Sequence, residues 1–269
     1  MTLSARLQPT KVTATVLAAA SLCAGSTSGA AVAAATGRPF SASSPWNRAL
    51  RPSDLTAPSS ACTRTLSLPQ LHTDINAAQW SQPVFRARRG DPLWTLVVGQ
   101  QRIGRIRAPA NISAALPSYS DDPGTDAHLN VISPSGLVVD EFWRAHVSRT
   151  TRHIRAAGHT RNSMRGSGVG HGGERAFGGS AIGGLIRTSE LRAHDIPHAL
   201  AFAVPRWAQH VGPVWPAISE DDGAAGTYTG PMHMGTRIAI PRSVDLRMLE
   251  LSPTTRAIAR ALQRYGAYD

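Results

Sequence analysis

Short runs of apolar and β-branched residues recur along the chain, each bounded by Gly, Pro, Asn or Asp: "QPVFRAR", "WTLVV", "RIGRIR", "HLNVIS", "GLVVDEFW", "ALAFAV" and "TRIAI". Their length and composition predict β-strands. Helical patterning is confined to two places. In "SPTTRAIARALQRYG", Ser252 is placed to cap, Pro253 stands at the first helical position and Gly266 follows the end. Ile258, Leu262 and Tyr265 share one stripe there at i, i+4 and i+7. A shorter helical turn is predicted in "TSELRAH". With no repeat and no heptad, this pattern predicts a mostly β fold. The expected architecture is an antiparallel β-sandwich or jelly roll with a few short helices, one near the C-terminus.

The N-terminal pattern is of another kind. Arg6 and Lys11 precede an unbroken small and apolar run, "VTATVLAAASLCAG", and then "STSGAAVAAA" offers small-residue cleavage sites near Ala33 to Ala35. This is the tripartite layout of a secretory signal, and its apolar run is too short to span a bilayer. The expected organisation is a signal peptide over 1–35, an extended Pro- and Ser-rich lead-in over 36–60 anchored by Trp46, and a single β-rich domain over 61–269. Export to the extracellular space, without integral membrane contact and as a monomer, follows from that reading. Removal of the signal takes Cys23 with it and leaves Cys62 as a small buried residue, so no internal disulfide is expected.

Charge changes the picture little. The formal net charge is +11, from 28 basic and 17 acidic residues, and Lys11 is the only lysine. The arginines are spread along the chain instead of clustering with stacking aromatics, which argues against nucleic acid as a partner. An acidic polysaccharide or anionic surface remains compatible with the charge.

Candidate chemistry concentrates in "DAHLNVISPSGLVVDEFW". Ser133-Pro134-Ser135-Gly136 suits a type I turn. A hairpin closed there is expected to set Val131 opposite Val138 and His128 opposite Glu141. One face then carries Leu129, Val131, Val138 and Phe142 as core. The other presents Asp126, His128, Asn130, Glu141 and Trp143. A directly opposed His128 and Glu141 would share a proton, each tuning the other. Trp143 would stack on a sugar ring while Asn130 and Asp126 bind hydroxyls. The competing expectation is an ordinary cross-strand ion pair on a solvated face. A second segment holds Glu190 in a turn, with His198 opening the strand that follows.

The glycine-dense "GSGVGHGGERAFGGSAIGGLI" contains a dinucleotide spelling at Gly168, Gly170 and Gly173. The preceding "HIRAAGHTRNSMR" reads as polar and strandless, and the following residues are poor helix material, so a nucleotide site is not expected. The stretch reads instead as a mobile loop leading into a tightly packed "GGLI" segment, with His171 and Glu174 at the loop's tip, able to close over the hairpin face that carries His128 and Glu141. Ten histidines invite a metal reading, but no His-x-x-x-His lies on a convincing helix. His153, His159 and His210 read as solvated loop residues. No cofactor is expected, and no metal ligands are assigned.

The strings "SPWN", "GGLI…E…I.HAL.F.VP", "WPA…DG", "PMHMGTRI" and "ALQRYGAY" resemble a family of exported, largely uncharacterised proteins from actinobacteria and other soil bacteria. The resemblance runs from about Pro45 to the end. It covers Glu190, His198, Trp215, Met234 and Arg237, and it matches Glu141 and Trp143 to an "E.W" after a strand. It implies an exported, β-rich protein and no particular reaction. It also implies a further strand beyond Asp269.

These features together point to a carbohydrate-active protein. The expectation is a polysaccharide hydrolase or lyase with Glu141, His128, His198 and Glu190 as candidate catalytic groups. Trp143, Asn130, Asp126, Arg237 and His171 are candidate substrate-binding groups. A hydrolase requires two carboxylates flanking the bond, whereas a lyase requires one base and an arginine to neutralise a uronate. The alternatives are a non-catalytic glycan- or surface-binding protein, and a metal-dependent hydrolase in which His128, His171 and His198 converge.

Overall fold

The computed structural model describes residues 38–54, 60–71, 82–115, 126–170 and 172–269. Among them the chain is mostly β, with thirteen strands in mixed sheets and few, mainly short helices. Helix α1 (Ser60–Leu66) comes first and was not anticipated. The predicted strands follow as β1 (Val84–Arg86), β2 (Leu93–Val98), β3 (Gln101–Arg107), β4 (Leu129–Ile132) and β5 (Val138–Trp143). Three unpredicted strands come next: β6 (His146–Ser148), β7 (His153–Ala156) and β8 (Gly158–Ser163). The polar segment before the glycines is therefore not strandless.

Two four-stranded sheets result, ordered β1-β4-β5-β8 and β3-β2-β7-β6. They are mixed, not purely antiparallel: β1 runs parallel to β4, and β2 parallel to β7. One long hairpin links them. The pairs Trp143↔Gly158 and His146↔Arg155 belong to one register, so strands 138–148 and 153–163 bend together at Arg144-Ala145 and cross from one sheet to the other. Trp94, Leu96, Ile106, Leu129, Val131, Phe142 and Ile154 draw both sheets onto a shared apolar core.

The β4–β5 register differs from expectation. Asn130 stands opposite Glu141 and Val131 opposite Asp140. Gly136 adopts φ +72, and Leu137 joins it in a longer loop in which Ser133 bonds to Val138. The slip is by two positions, which preserves the faces: Leu129, Val131 and Phe142 on one side, Asn130, Glu141 and Trp143 on the other.

That second side is not solvated. Phe40, Trp46, Val139, Val169, Phe177, Ile182, Ala199 and Met234 form a second core over it, to which the glycine-dense segment contributes Val169, Phe177 and Ile182. Most of its glycines serve close approach. A Cβ on Gly173 would collide with the Gly179 carbonyl, and Gly184, at φ +69, lies against Trp46 and Ala201. The segment is a packed cover.

Helix α2 (Thr188–Ala193) is the short turn anticipated in "TSELRAH". After it come β9 (Leu200–Ala201), β10 (Gln209–His210), α3 (Ala224–Thr227), β11 (Met232–His233) and β12 (Arg237–Ile238). Helix α4 (Pro253–Arg264) and β13 (Ala267–Tyr268) complete the chain. The Ser252 hydroxyl caps α4 by accepting from the Thr255 amide, as its position predicted. Ala257, Ala261, Ile258 and Leu262 seat α4 on Leu200 and Ala267, fixing the small sheet β12-β13-β9. No helix among the described residues is long and apolar enough to cross a membrane.

Candidate functional site

Glu141 is the buried centre of the covered face. Its exposure is 0%, and three donors hold it: the Ser180 hydroxyl, the Ala181 amide at 2.9 Å and the Asn162 side-chain amide at 3.2 Å. Asn162 comes from β8, while Ser180 and Ala181 come from the cover, so the carboxyl ties cover to sheet. Burial pushes it up to about 7 despite these bonds and the nearby Arg175. Burial also brings Arg175 down to about 10, against the pull of Glu141.

A more accessible group lies beside it, at the end of the hairpin. His128 is 4% exposed. Its Nε2 stands 3.6 Å from Asp126 Oδ2, and its Nδ1 is buried without a hydrogen-bond partner. Asp126 accepts from the Trp143 indole at 3.0 Å. The facing His128, with help from Trp143 and Arg144, holds the Asp126 carboxyl below its ordinary range against a partial burial penalty. The Arg144 guanidinium lies over the Trp143 ring, 5.1 Å from its centroid.

Glu174 reaches this group from the cover. It accepts from Thr160 Oγ1 at 2.7 Å. Burial raises its carboxyl, opposed by Thr160 and by the charges of His128 and His159. The backbone around these residues is strained. Ala127 and Arg144 adopt φ +40 and +50, a conformation that costs a non-glycine residue about 1–2 kcal/mol. Both are held by the hairpin ladder, Arg144 N–H to the Asp126 carbonyl and Ala145 N–H to that of Ala127.

Asn130 is fully buried and donates to the Pro83 carbonyl and the Gln82 side chain, both at 3.2 Å, with its Oδ1 unpartnered. The other predicted residues lie in a separate group. His198 Nε2 faces Glu190 Oε1 at 3.1 Å and its Nδ1 faces the Ala199 carbonyl at 2.8 Å. Arg187 binds Glu190 through its guanidinium and its backbone amide, both at 2.7 Å, a capping arrangement at the start of α2. Glu190 is held below its ordinary range by His198 and Arg187, which overcome its burial penalty. Arg237 clamps the carbonyls of Tyr265 and Arg48 and lies over Tyr268. His171 lies outside the described residues. Among the described residues no hydrogen bond or ion pair joins the Glu190–His198 pair to the group around His128.

Several contributors were not predicted. Thr160, Asn162 and Ser180 escaped notice because their segments read as polar loop. His159, expected in solvent, belongs to β8, stacks on Phe142 at 4.8 Å and bonds to the buried Asp140 at 3.0 Å. Arg161 joins the same Asp140 at 3.1 Å. Among the described residues no group of three or more His, Cys, Asp or Glu side chains is placed to hold a metal ion.

The arrangement around His128 can move a proton: one ring nitrogen stands 3.6 Å from a carboxylate oxygen, the other is unengaged, and the Glu174 carboxyl is raised by burial. Comparison with known proteins finds no family model, no curated protein and no solved structure that matches the chain.

Proposed function

We propose that the chain is an exported carbohydrate-active protein, a polysaccharide hydrolase or lyase, whose proton-transfer centre is Asp126–His128–Glu174. The observation that carries this reading is the buried, unpartnered Nδ1 of His128, whose ring faces Asp126 on its other edge. A nitrogen left unsatisfied at that depth is costly unless a substrate proton or a water uses it. The strained backbone at Ala127 and Arg144 supports the same location.

In this reading His128 is the base, Asp126 orients it, and Glu174, with its raised carboxyl, supplies the acid. Trp143 offers a stacking surface and Arg144 a positive charge for a sugar acid. Glu141 is sealed by the cover and serves to position it. Export rests on the N-terminal pattern and the family resemblance, and the two sheets around one core are read as a sandwich.

A non-catalytic glycan-binding role is the second reading. It is favoured by the complete burial of Glu141 and by the structural engagement of Glu190, His198 and Arg237. Incubating the purified protein with a polysaccharide panel, with and without chelator, separates the two. New reducing ends indicate a hydrolase, and ultraviolet absorbance of an unsaturated uronate indicates a lyase. Glycan retention without product indicates the binder.

A further inference from the structure

We propose that the cavity at the bend of the long hairpin is an anion subsite that takes the carboxylate of a uronic-acid unit, which makes an acidic polysaccharide the ligand. This deepens the carbohydrate reading and rests on it for the sugar, though not for the anion. The cavity measures about 680 Å³ and is lined by Gly99, Gln100, His146, Arg155, Ala156 and Ala157. That volume lies within the range of small-ligand sites.

Three observations converge on an anion. First, His146 and Arg155 are register partners on β6 and β7, so both side chains leave the same face with Cβ atoms about 5 Å apart. Second, neither side chain has a hydrogen-bond or ion-pair partner among the described residues, whereas Arg161, Arg187 and Arg247 are each paired with a carboxylate. Third, the lining contains no carboxylate. A planar guanidinium with unengaged donors matches a carboxylate bidentately, and the imidazole adds a donor from the side. The small Ala157 side chain leaves room for the sugar ring.

The position suits a neighbouring subsite. His146 lies three residues beyond Trp143, and Ala157 directly precedes Gly158, whose register partner is Trp143. Ala157 also donates to the Trp143 carbonyl at 3.0 Å. The cavity thus opens where the strands carrying the His128 group pass into the second sheet.

Calorimetric titration of the full protein tests this with three probes: oligogalacturonate, the same oligomer fully methyl-esterified, and inorganic sulfate. Wild type should bind the acid at least tenfold more tightly than the ester. Arg155→Gln should abolish that preference, and His146→Gln should reduce it. Arg155 is exposed, so the variant should keep the wild-type circular dichroism spectrum and melting transition. Equal binding of acid and ester, unchanged preference in Arg155→Gln, or sulfate binding as tightly as the oligomer would each overturn the proposal. Uronate binding through Arg155 without any product would keep the subsite and sink the enzyme reading. Turnover of neutral glycans with no preference for acid would do the reverse.

Discussion

Replacing Glu141 with Gln should stabilise the protein above neutral pH and leave its stability unchanged in mild acid. The carboxyl has no exposure, and its burial carries it from the ordinary 4.5 to about 7. The folded state therefore holds this proton more tightly than the unfolded chain does. The protonated carboxyl's contribution is full below about pH 4.5 and is lost as pH rises through about 7. At about 1.4 kcal/mol per pH unit, the gap corresponds to about 3 kcal/mol. Glutamine reproduces the protonated form. Its carbonyl can accept from the Ala181 amide and from Asn162, and its NH₂ can donate to Ser180, whose hydroxyl turns to accept. Urea unfolding, followed by tryptophan fluorescence near pH 4 and near pH 8, measures the difference. Glu141→Gln and wild type should agree at the lower pH, with the variant more stable by about 3 kcal/mol at the higher. A variant equally stable at both pH values, or one less stable by the same amount throughout, would refute the reasoning.

Other outcomes follow from the same geometry. Glu190→Ala removes the cap of α2 and the partner of His198, and should cost about 1–3 kcal/mol in urea unfolding without changing glycan affinity. Because Glu190 is held below its ordinary range, its contribution is present above about pH 4.5 and is lost as pH falls, opposite in sign to Glu141. Arg237→Met leaves the Tyr265 and Arg48 carbonyls without their donor and should lower stability by about 1–3 kcal/mol, measured in the same way. Gly173→Ala drives a methyl into the Gly179 carbonyl and should destabilise by more than about 2 kcal/mol, with increased proteolysis of the cover.

Which parts of this arrangement could be read from the chain depended on how local their causes are. The strands β1 to β5, β9 and β12 and the cap of α4 follow from neighbouring residues, and their expected positions were met. Strand β8 was missed because Thr160 and Asn162 face an internal polar cluster, so the segment carries no apolar alternation; β7 shows an alternation of only four residues, His153–Ala156. The hairpin register turned on Gly136 adopting a left-handed conformation and drawing Leu137 into the loop, a choice of turn that the residue types leave open. The depth of Glu141 was the largest departure. A carboxylate on an alternating strand reads as solvent-facing, and only the long-range packing of Phe177 and Ile182 places it inside. The signal was present in the cover's glycines: those before "GGLI" were read as mobility, yet Gly168, Gly173, Gly178 and Gly179 are used for close contact. Glu174, by contrast, was anticipated near the hairpin face, and it bonds there to Thr160, the register partner of Glu141.

The most direct test of the central claim compares product release from polysaccharide by wild type, His128→Gln and Glu174→Gln, each first shown to be folded by circular dichroism. The account predicts product from wild type and a loss of about a hundredfold or more in each variant, the usual scale for a proton-transfer group. Product released by both variants at the wild-type rate would contradict it.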